Sequence, residues 1–157
     1  MKTFIPKTNT VNKDRFYFTD DNIFIKKDTI IDRGSNESKI LNHLIGFKNV
    51  PQIIESYEEN NEHILKMGFI TGETLENCHK KLSINDKIKV IKDLTKIISF
   101  LFEKNISHGD INESNIIFNI ETKETFLIDF ETGKIENSIF DLGNYRGLQY
   151  IINYLKL

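Results

Sequence analysis

Apolar and polar positions along the chain fall into two alternating patterns. Residues 15–27 read as two β-prone runs, Arg15–Phe18 and Ile23–Lys27, flanking Thr19-Asp20-Asp21-Asn22. The flanked stretch is turn chemistry, so the segment predicts a hairpin. Ser35 is placed to cap a helix carrying Ile40, Leu41, Leu44 and Ile45 at helical spacing, with Gly46 near its end. Pro51 punctuates. Gln52–Tyr57 and His63–Phe69 then predict strands on either side of a polar turn, Glu58–Glu62. Thr71-Gly72 breaks the pattern.

Ser83 followed by Asp86 has the form of a capping box, with Asp in place of the usual Glu. From it runs a long amphipathic helix with Ile84, Ile88, Ile91, Leu94, Ile98 and Leu101 on one stripe. Lys89, Lys92 and Lys96 lie opposite and read as a solvated face. A polar loop, Ser107–Ser114, leads into the apolar run Ile116–Phe118. A turn at Glu121–Glu124 precedes a strand over Phe126–Phe130. The last stretch, Ser138–Leu157, predicts a largely buried helix through Ile139, Leu142, Leu148, Ile151, Ile152 and Leu155. The order of elements is α+β. It predicts two lobes joined near Gly68–Gly72, with residues 1–70 on one side and 71–157 on the other.

Composition narrows the functional classes. The 157 residues are 39% hydrophobic and 28% charged, the balance of a folded domain. The formal net charge of −2 gives no electrostatic reason to expect nucleic acid or an anionic membrane as partner. One cysteine, Cys78, excludes an internal disulfide framework and a cysteine zinc site. It reads as having no reactive role. Met1–Lys7 lacks the apolar run of a secretory leader, and no stretch approaches the ~20 apolar residues of a membrane span. The expectation is a cytoplasmic protein. His43, His63 and His79 share no metal-ligand spacing and read as surface or satisfied histidines.

The candidate chemistry lies in His108-Gly109-Asp110-Ile111-Asn112-Glu113-Ser114-Asn115 and in Ile128-Asp129-Phe130-Glu131. A polar loop feeding a β-hairpin places Asp110 and Asn115 at one edge, and the returning strand brings Asp129 back to it. Two carboxylates and an amide oxygen suit Mg²⁺, which takes few protein oxygens and keeps the rest of its shell for water and phosphate. The remaining carboxylate is free to accept a proton from an attacking hydroxyl. His108 reads as an anchor of its loop rather than a base.

His-Gly-Asp followed by Asn five residues after the Asp, with Ile-Asp-Phe one hairpin later, resembles the catalytic and metal-binding loops of the protein-kinase-like superfamily. The resemblance implies a two-lobed kinase-like fold with a truncated C-lobe. It implies ATP and Mg²⁺ as cofactors, Asp110, Asn115 and Asp129 as catalytic residues, and Asn115 and Asp129 as metal ligands. Ile23-Phe24-Ile25-Lys26 resembles the strand whose lysine holds the α and β phosphates, and Glu37 the glutamate that pairs with it. Lys27 competes with Lys26, because side chains alternate on a strand and only one of the two faces the cleft. In the same picture Met67 lines the back of the base pocket, and backbone groups near Gly68 and Ile70 meet the base edge. Asp141 resembles the aspartate that braces the catalytic loop from below; a helix N-terminal aspartate favoured by the dipole reads almost as well.

Two branches of the superfamily compete. Glu37–Leu41, Val50-Pro51, Met67–Gly72 and Ser114-Asn115 are similar to the small Bud32-like atypical kinases. Phe130-Glu131 and Phe140–Asn144 are similar to the choline and aminoglycoside phosphotransferases. The expectation is a Bud32-like Ser/Thr protein kinase or ATPase. A pseudokinase or other regulatory binding module, and a small-molecule phosphotransferase, are the alternatives. Its partners would be a protein or small-molecule hydroxyl acceptor and a partner protein. Three departures stand out. Thr8–Asn12 lies where a glycine-rich phosphate loop is expected, Glu131 replaces the glycine of Asp-Phe-Gly, and no basic tail follows, Lys156 being the one basic residue near the end.

Overall fold

The computed structural model describes residues 15–19, 21–135 and 142–157. Thr8–Asn12, Asp20, Ile139, Phe140 and Asp141 lie outside the described residues.

A four-stranded antiparallel sheet, in the order β1-β2-β4-β3, forms the upper lobe. Its strands are β1 (Phe16–Phe18), β2 (Ile23–Asp28), β3 (Ile53–Glu59) and β4 (Glu62–Gly68). The β3–β4 turn is tighter than the polar run suggests. Glu59 pairs with Glu62, leaving only Asn60 and Asn61 between them, both at positive φ. Such two-residue hairpins require φ > 0 at both positions, which asparagine tolerates. Helix α1 (Ile31–His43) packs on this sheet through Gly34, Glu37, Ser38, Ile40 and Leu41.

Ser35 does not cap α1. The helix begins a turn earlier, after Ile30, where the Asp28 carboxylate accepts the Ile30 N–H at 3.0 Å. An acceptor three residues before the first helical position thus takes the place of a capping side chain. Ile45 lies beyond the helix and is exposed, while Leu44 is fully buried.

The lower lobe opens with β5 (Glu73–Thr74) and α2 (Leu75–Cys78), then the long helix α3 (Ile84–Glu103). The capping box is present: Asp86 N–H donates to Ser83 Oγ and Ser83 N–H to the Asp86 carboxylate. The buried stripe is rotated from the expected one. Val90, Leu94, Ile97, Ile98 and Leu101 are fully buried, whereas Ile84 and Ile88 are exposed. The α3 core face therefore begins at Val90, with the first turn of apolar residues in solvent. On the polar face Lys89 pairs with Asp93, four residues on.

Short strands β6 (Ile106–Ser107) and β9 (Lys134–Ile135) pair with each other. Strand β7 (Ile116–Asn119) pairs with both β5 and β8 (Glu124–Leu127). Strand β8 starts and ends earlier than the expected Phe126–Phe130. The chain leaves extended geometry at Asp129, whose φ is +67°. The final helix, α4 (Gly143–Leu155), is buried on one side only, through Asn144, Ile151 and Leu155. Leu142 is exposed and Leu148 and Ile152 are half-buried, so the helix is less enclosed than its apolar count predicts. Burial of Ile40, Leu65, Leu94, Leu101, Phe118 and Phe130 in one core joins the two lobes. At about 25 cal/mol per Å² of apolar surface removed from water, each such side chain contributes roughly 1.5–3 kcal/mol.

Candidate active site

A cleft of ≈ 510 Å³ runs between the sheet and the β7–β8 hairpin. That volume is within the range of small-molecule and cofactor sites. Lys26, Glu37, Met67, Gly68, Ile70, Asp110, Asn115 and Asp129 all line it. Its lining is mixed. Phe16, Phe18, Phe24 and Phe69 supply an aromatic wall. Phe16 and Phe18 pack on Phe24 at 5.8 and 5.2 Å, and Phe18 meets Phe69 edge-on at 5.1 Å. Lys26, Glu37, Glu76, Asp110 and Asp129 supply charges.

The fold settles which of the two lysines points inward. Lys26 is buried, and its Nζ lies 2.7 Å from Glu37, 2.8 Å from Asp129 and 3.0 Å from Glu131. Lys27 points outward, with its Nζ over the Tyr17 ring. Burial works against the Lys26 charge, but the three carboxylates outweigh it and hold the ammonium pKa above the ordinary lysine value. Burial likewise lifts the Glu37 carboxyl, with Lys26 opposing it. The second oxygen of Glu37 accepts the Phe130 N–H at 3.0 Å. Helix α1 therefore fixes both the lysine and the backbone beside Asp129.

The loop from Ser107 to Asn115 is held by neutral hydrogen bonds. His108 is fully buried. Its Nε2 donates to the Ile128 carbonyl at 2.9 Å, and its Nδ1 accepts the Asp110 N–H at 3.2 Å. Both ring nitrogens are thereby assigned, the neutral tautomer is fixed, and burial lowers the histidine pKa. Asn115 donates through Nδ2 to the Asp110 carbonyl (2.9 Å) and carboxylate (3.1 Å), and Asn112 donates to the other carboxylate oxygen at 2.8 Å. The Ile128 N–H donates to the Asn115 carbonyl at 2.9 Å, which sets Asn115 beside the segment bearing Asp129.

Two contacts close the loop from behind. Asn144, buried on α4, accepts the His108 N–H at 2.9 Å and donates to the Ile106 carbonyl at 2.8 Å. Helix α4 approaches so closely that a Cβ at Gly147 would lie 2.5 Å from the Ile111 Cβ. Gly109, at φ +84°, meets the next hairpin backbone to backbone: a Cβ there would lie 2.5 Å from the Thr132 carbonyl oxygen. Sequence reasoning missed Asn144 and also Arg15, which bridges Asp28 and Glu131 at 2.6 Å each. Arg15 belongs to no local motif, and Asn144 closes the Phe140–Asn144 run with no role of its own read there. A buried asparagine on the following helix and an arginine before the first strand reveal themselves only through their partners.

The carboxylates of Glu37, Asp129 and Glu131 lie within 4.8 Å of one another. They surround the Lys26 ammonium, which balances part of their charge. The donor chemistry that fits Mg²⁺ is the Asn115 carboxamide oxygen with the half-exposed Asp129 carboxylate, hard oxygen ligands that both line the cleft.

Residues 21–147 match the family model of the protein kinase domain. The chain belongs to the protein kinase family. Within it the chain is similar to the KEOPS complex subunit Bud32 of Pyrococcus abyssi, at 31% identity over 109 residues, covering 69% of this chain and 48% of that protein. It is also similar to serine/threonine-protein kinase 1 of African swine fever virus, at 35% identity over 60% of this chain and 33% of the viral kinase. Among solved structures the Cydia pomonella granulovirus kinase PK-1 shares the fold, with a TM-score of 0.66 at 21% identity, over 76% of this chain and 46% of that one. The kinase domain thus spans about half or less of the length of these proteins. Among the described residues no helix is long and apolar enough to cross a membrane.

Proposed function

We propose that this domain is an ATP- and Mg²⁺-dependent phosphotransferase of the Bud32-like kind, acting on a serine or threonine hydroxyl of a protein in the cytoplasm. The observation that carries the reading is the meeting of Lys26, Glu37 and Asp129 with Asp110 and Asn115 in one cleft that also carries an aromatic wall.

Lys26 binds phosphate oxygens, and Glu37 keeps it extended into the cleft. Met67, Gly68 and Ile70 line the base end. Asn115 and Asp129 hold Mg²⁺, which supplies charge neutralisation on the phosphates. Asp110, oriented by Asn112 and Asn115, receives the acceptor hydroxyl. The hydroxyl oxygen bonds to the γ-phosphorus, the bridging P–O bond breaks, ADP leaves with its electron pair, and the hydroxyl proton passes to the Asp110 carboxylate. Positioning and charge neutralisation supply most of the rate, as a loose phosphoryl-transfer transition state demands. The name of the archaeal relative, a subunit of a complex, supports a partner protein for this chain as well.

A second reading, a nucleotide-binding regulator without turnover, is favoured by the three carboxylate oxygens within 3.0 Å of Lys26. An ammonium has three donors, so a phosphate must displace one of them. ATP turnover by purified protein with candidate protein acceptors tests the first reading. Asp110→Ala should bind nucleotide normally and lose roughly 10²-fold or more in turnover. Asp129→Ala should weaken Mg²⁺-dependent nucleotide binding too. Nucleotide binding with no turnover in the wild type selects the regulator, and turnover unchanged by Asp110→Ala removes Asp110 from the mechanism.

A further inference from the structure

Glu131 stands at a nexus that the phosphotransfer reading leaves unused. Its Oε2 lies 2.6 Å from the Arg15 guanidinium and 3.0 Å from Lys26 Nζ, and its Oε1 lies 3.6 Å from Arg33. These three cations come from three places: the residue before β1, strand β2, and helix α1. The Glu131 side chain is mostly buried, so the pairs are only weakly screened. Its backbone is gripped as well, because Asn36 on α1 donates to the carbonyls of Glu131 (3.2 Å) and Gly133 (2.9 Å). Arg15 and Arg33 each reach a second carboxylate, Asp28, at 2.6 and 3.0 Å. The result is a closed chain of ion pairs, from Asp28 through the two arginines to Glu131 and Lys26.

We propose that Glu131 is a positioning residue. It clamps the segment carrying Asp129 to α1 and β2 through Arg15 and Arg33, and so fixes the distance between the phosphate-binding lysine and Asp129. The proposal rests on the phosphotransfer reading for its kinetic consequence, but the clamp itself is made wholly of this chain's own residues. One residue, Phe130, separates Glu131 from Asp129, and Asp129 sits at positive φ. A non-glycine residue in that conformation is held there by its surroundings, not by its own preference. Phe130 N–H on Glu37 and the Glu131 ion pairs together hold the backbone that follows it. Without the carboxylate, Lys26 keeps Glu37 and Asp129, but the two arginines retain only Asp28, and the segment after Asp129 loses its charged anchor.

Glu131→Gln preserves shape and removes charge. Hydrogen exchange of the nucleotide-free protein, read on peptides covering residues 128–135, should be several-fold faster in Glu131→Gln than in wild type. Peptides from α3 should be unchanged. Where the wild type turns over ATP, Glu131→Gln should raise the KM for ATP and lower kcat, together costing about tenfold in kcat/KM, with the Mg²⁺ requirement unaltered. Arg15→Met should reproduce part of the effect; it also removes the Arg15–Asp28 pair, so the double variant should cost clearly less than the sum of the two single losses, because the Arg15–Glu131 interaction is removed in both. A loss of global stability alone would move the melting temperature and leave the KM in place. Wild-type exchange over 128–135 in Glu131→Gln overturns the clamp even if the domain has no turnover. Additive effects of Glu131→Gln and Arg15→Met, or a selective rise in the Mg²⁺ requirement, overturn it in favour of an independent or metal-binding role for Glu131. Absence of nucleotide binding by the wild type, with accelerated exchange in the variant, keeps the clamp and removes the phosphotransfer reading.

Discussion

Asp110 and Lys26 line the same cleft, but they are held there by different kinds of structure. The loop bearing Asp110 is fixed by neutral donors and acceptors: the His108 ring, the Asn112, Asn115 and Asn144 carboxamides, and backbone groups. Lys26 is fixed by charges, in a network that reaches Glu37, Asp129, Glu131, Arg15, Arg33 and Asp28. A neutral scaffold leaves Asp110 as the one charged residue of the loop among those lining the cleft. An ionic scaffold keeps the lysine charged despite burial, which a cation meant for phosphate requires. Buried ion pairs are weak evidence for stability, since desolvation offsets much of their attraction. This network is better read as geometry held for a ligand.

Removing a neutral anchor should have the largest effect. Asn144→Ala strips the partner from two buried backbone groups, the His108 N–H and the Ile106 carbonyl. Each unsatisfied group costs about 1–3 kcal/mol, so the variant should lose roughly 2–6 kcal/mol in denaturant melts. A loss below 1 kcal/mol would mean that α4 holds the loop by packing alone.

Acidification separates the two scaffolds next. Burial lowers the pKa values of His108 and His63, so the unfolded chain binds their protons first. Stability from these neutral histidines is present above the unfolded histidine value of ~6.5 and is lost as pH falls below it. In the ionic network the Asp28 carboxyl is held below its ordinary value: burial opposes this, but hydrogen bonds from Arg33 and Ile30 prevail. Its contribution is present above the unfolded carboxyl value and is lost only as pH falls through the lower folded one. Melting temperature should therefore drop between pH 7 and 5, with Asp28 still ionised. A flat profile in that window would contradict the burial of two neutral histidines.

Salt should do least. Lys48–Glu124 and Lys66–Glu55 are largely exposed pairs, each worth a few tenths of a kcal/mol at most once screened. Moving from 0.1 to 1 M NaCl should cost less than about 1 kcal/mol in total and leave the Lys26 network assembled. A larger loss would show that the inner network is more open to solvent than its burial implies.

The parts of this site legible in the sequence are those written within a few residues of each other. His108 to Asn115 and Ile128 to Phe130 carry their spacing in the chain, and the hairpin that unites them follows from the turn between. The choice between Lys26 and Lys27 is different. Alternation says that one faces inward, but the decision comes from Glu37, on an element that docks only in the fold. The buried stripe of α3 fails for a related reason. Nearly every turn of that helix offers an apolar residue, so the register is set by what α4 and β8 cover, and Ile84 and Ile88 fall outside that cover. Ser35 looked like a cap because its residue type is right, while the actual acceptor is the Asp28 carboxylate on the preceding strand.

The contact between Gly109 and Thr132 limits how the domain can diversify. With the Thr132 carbonyl where a Cβ would go, position 109 is closed to every side chain, whatever its chemistry. Widening it would require the loop and the 129–133 segment to separate, and those are the two pieces the site must hold together. A cationic residue there, able to read a phosphate placed on a neighbouring segment, is shut out by backbone geometry. Covalent control of this domain would have to enter through some other surface.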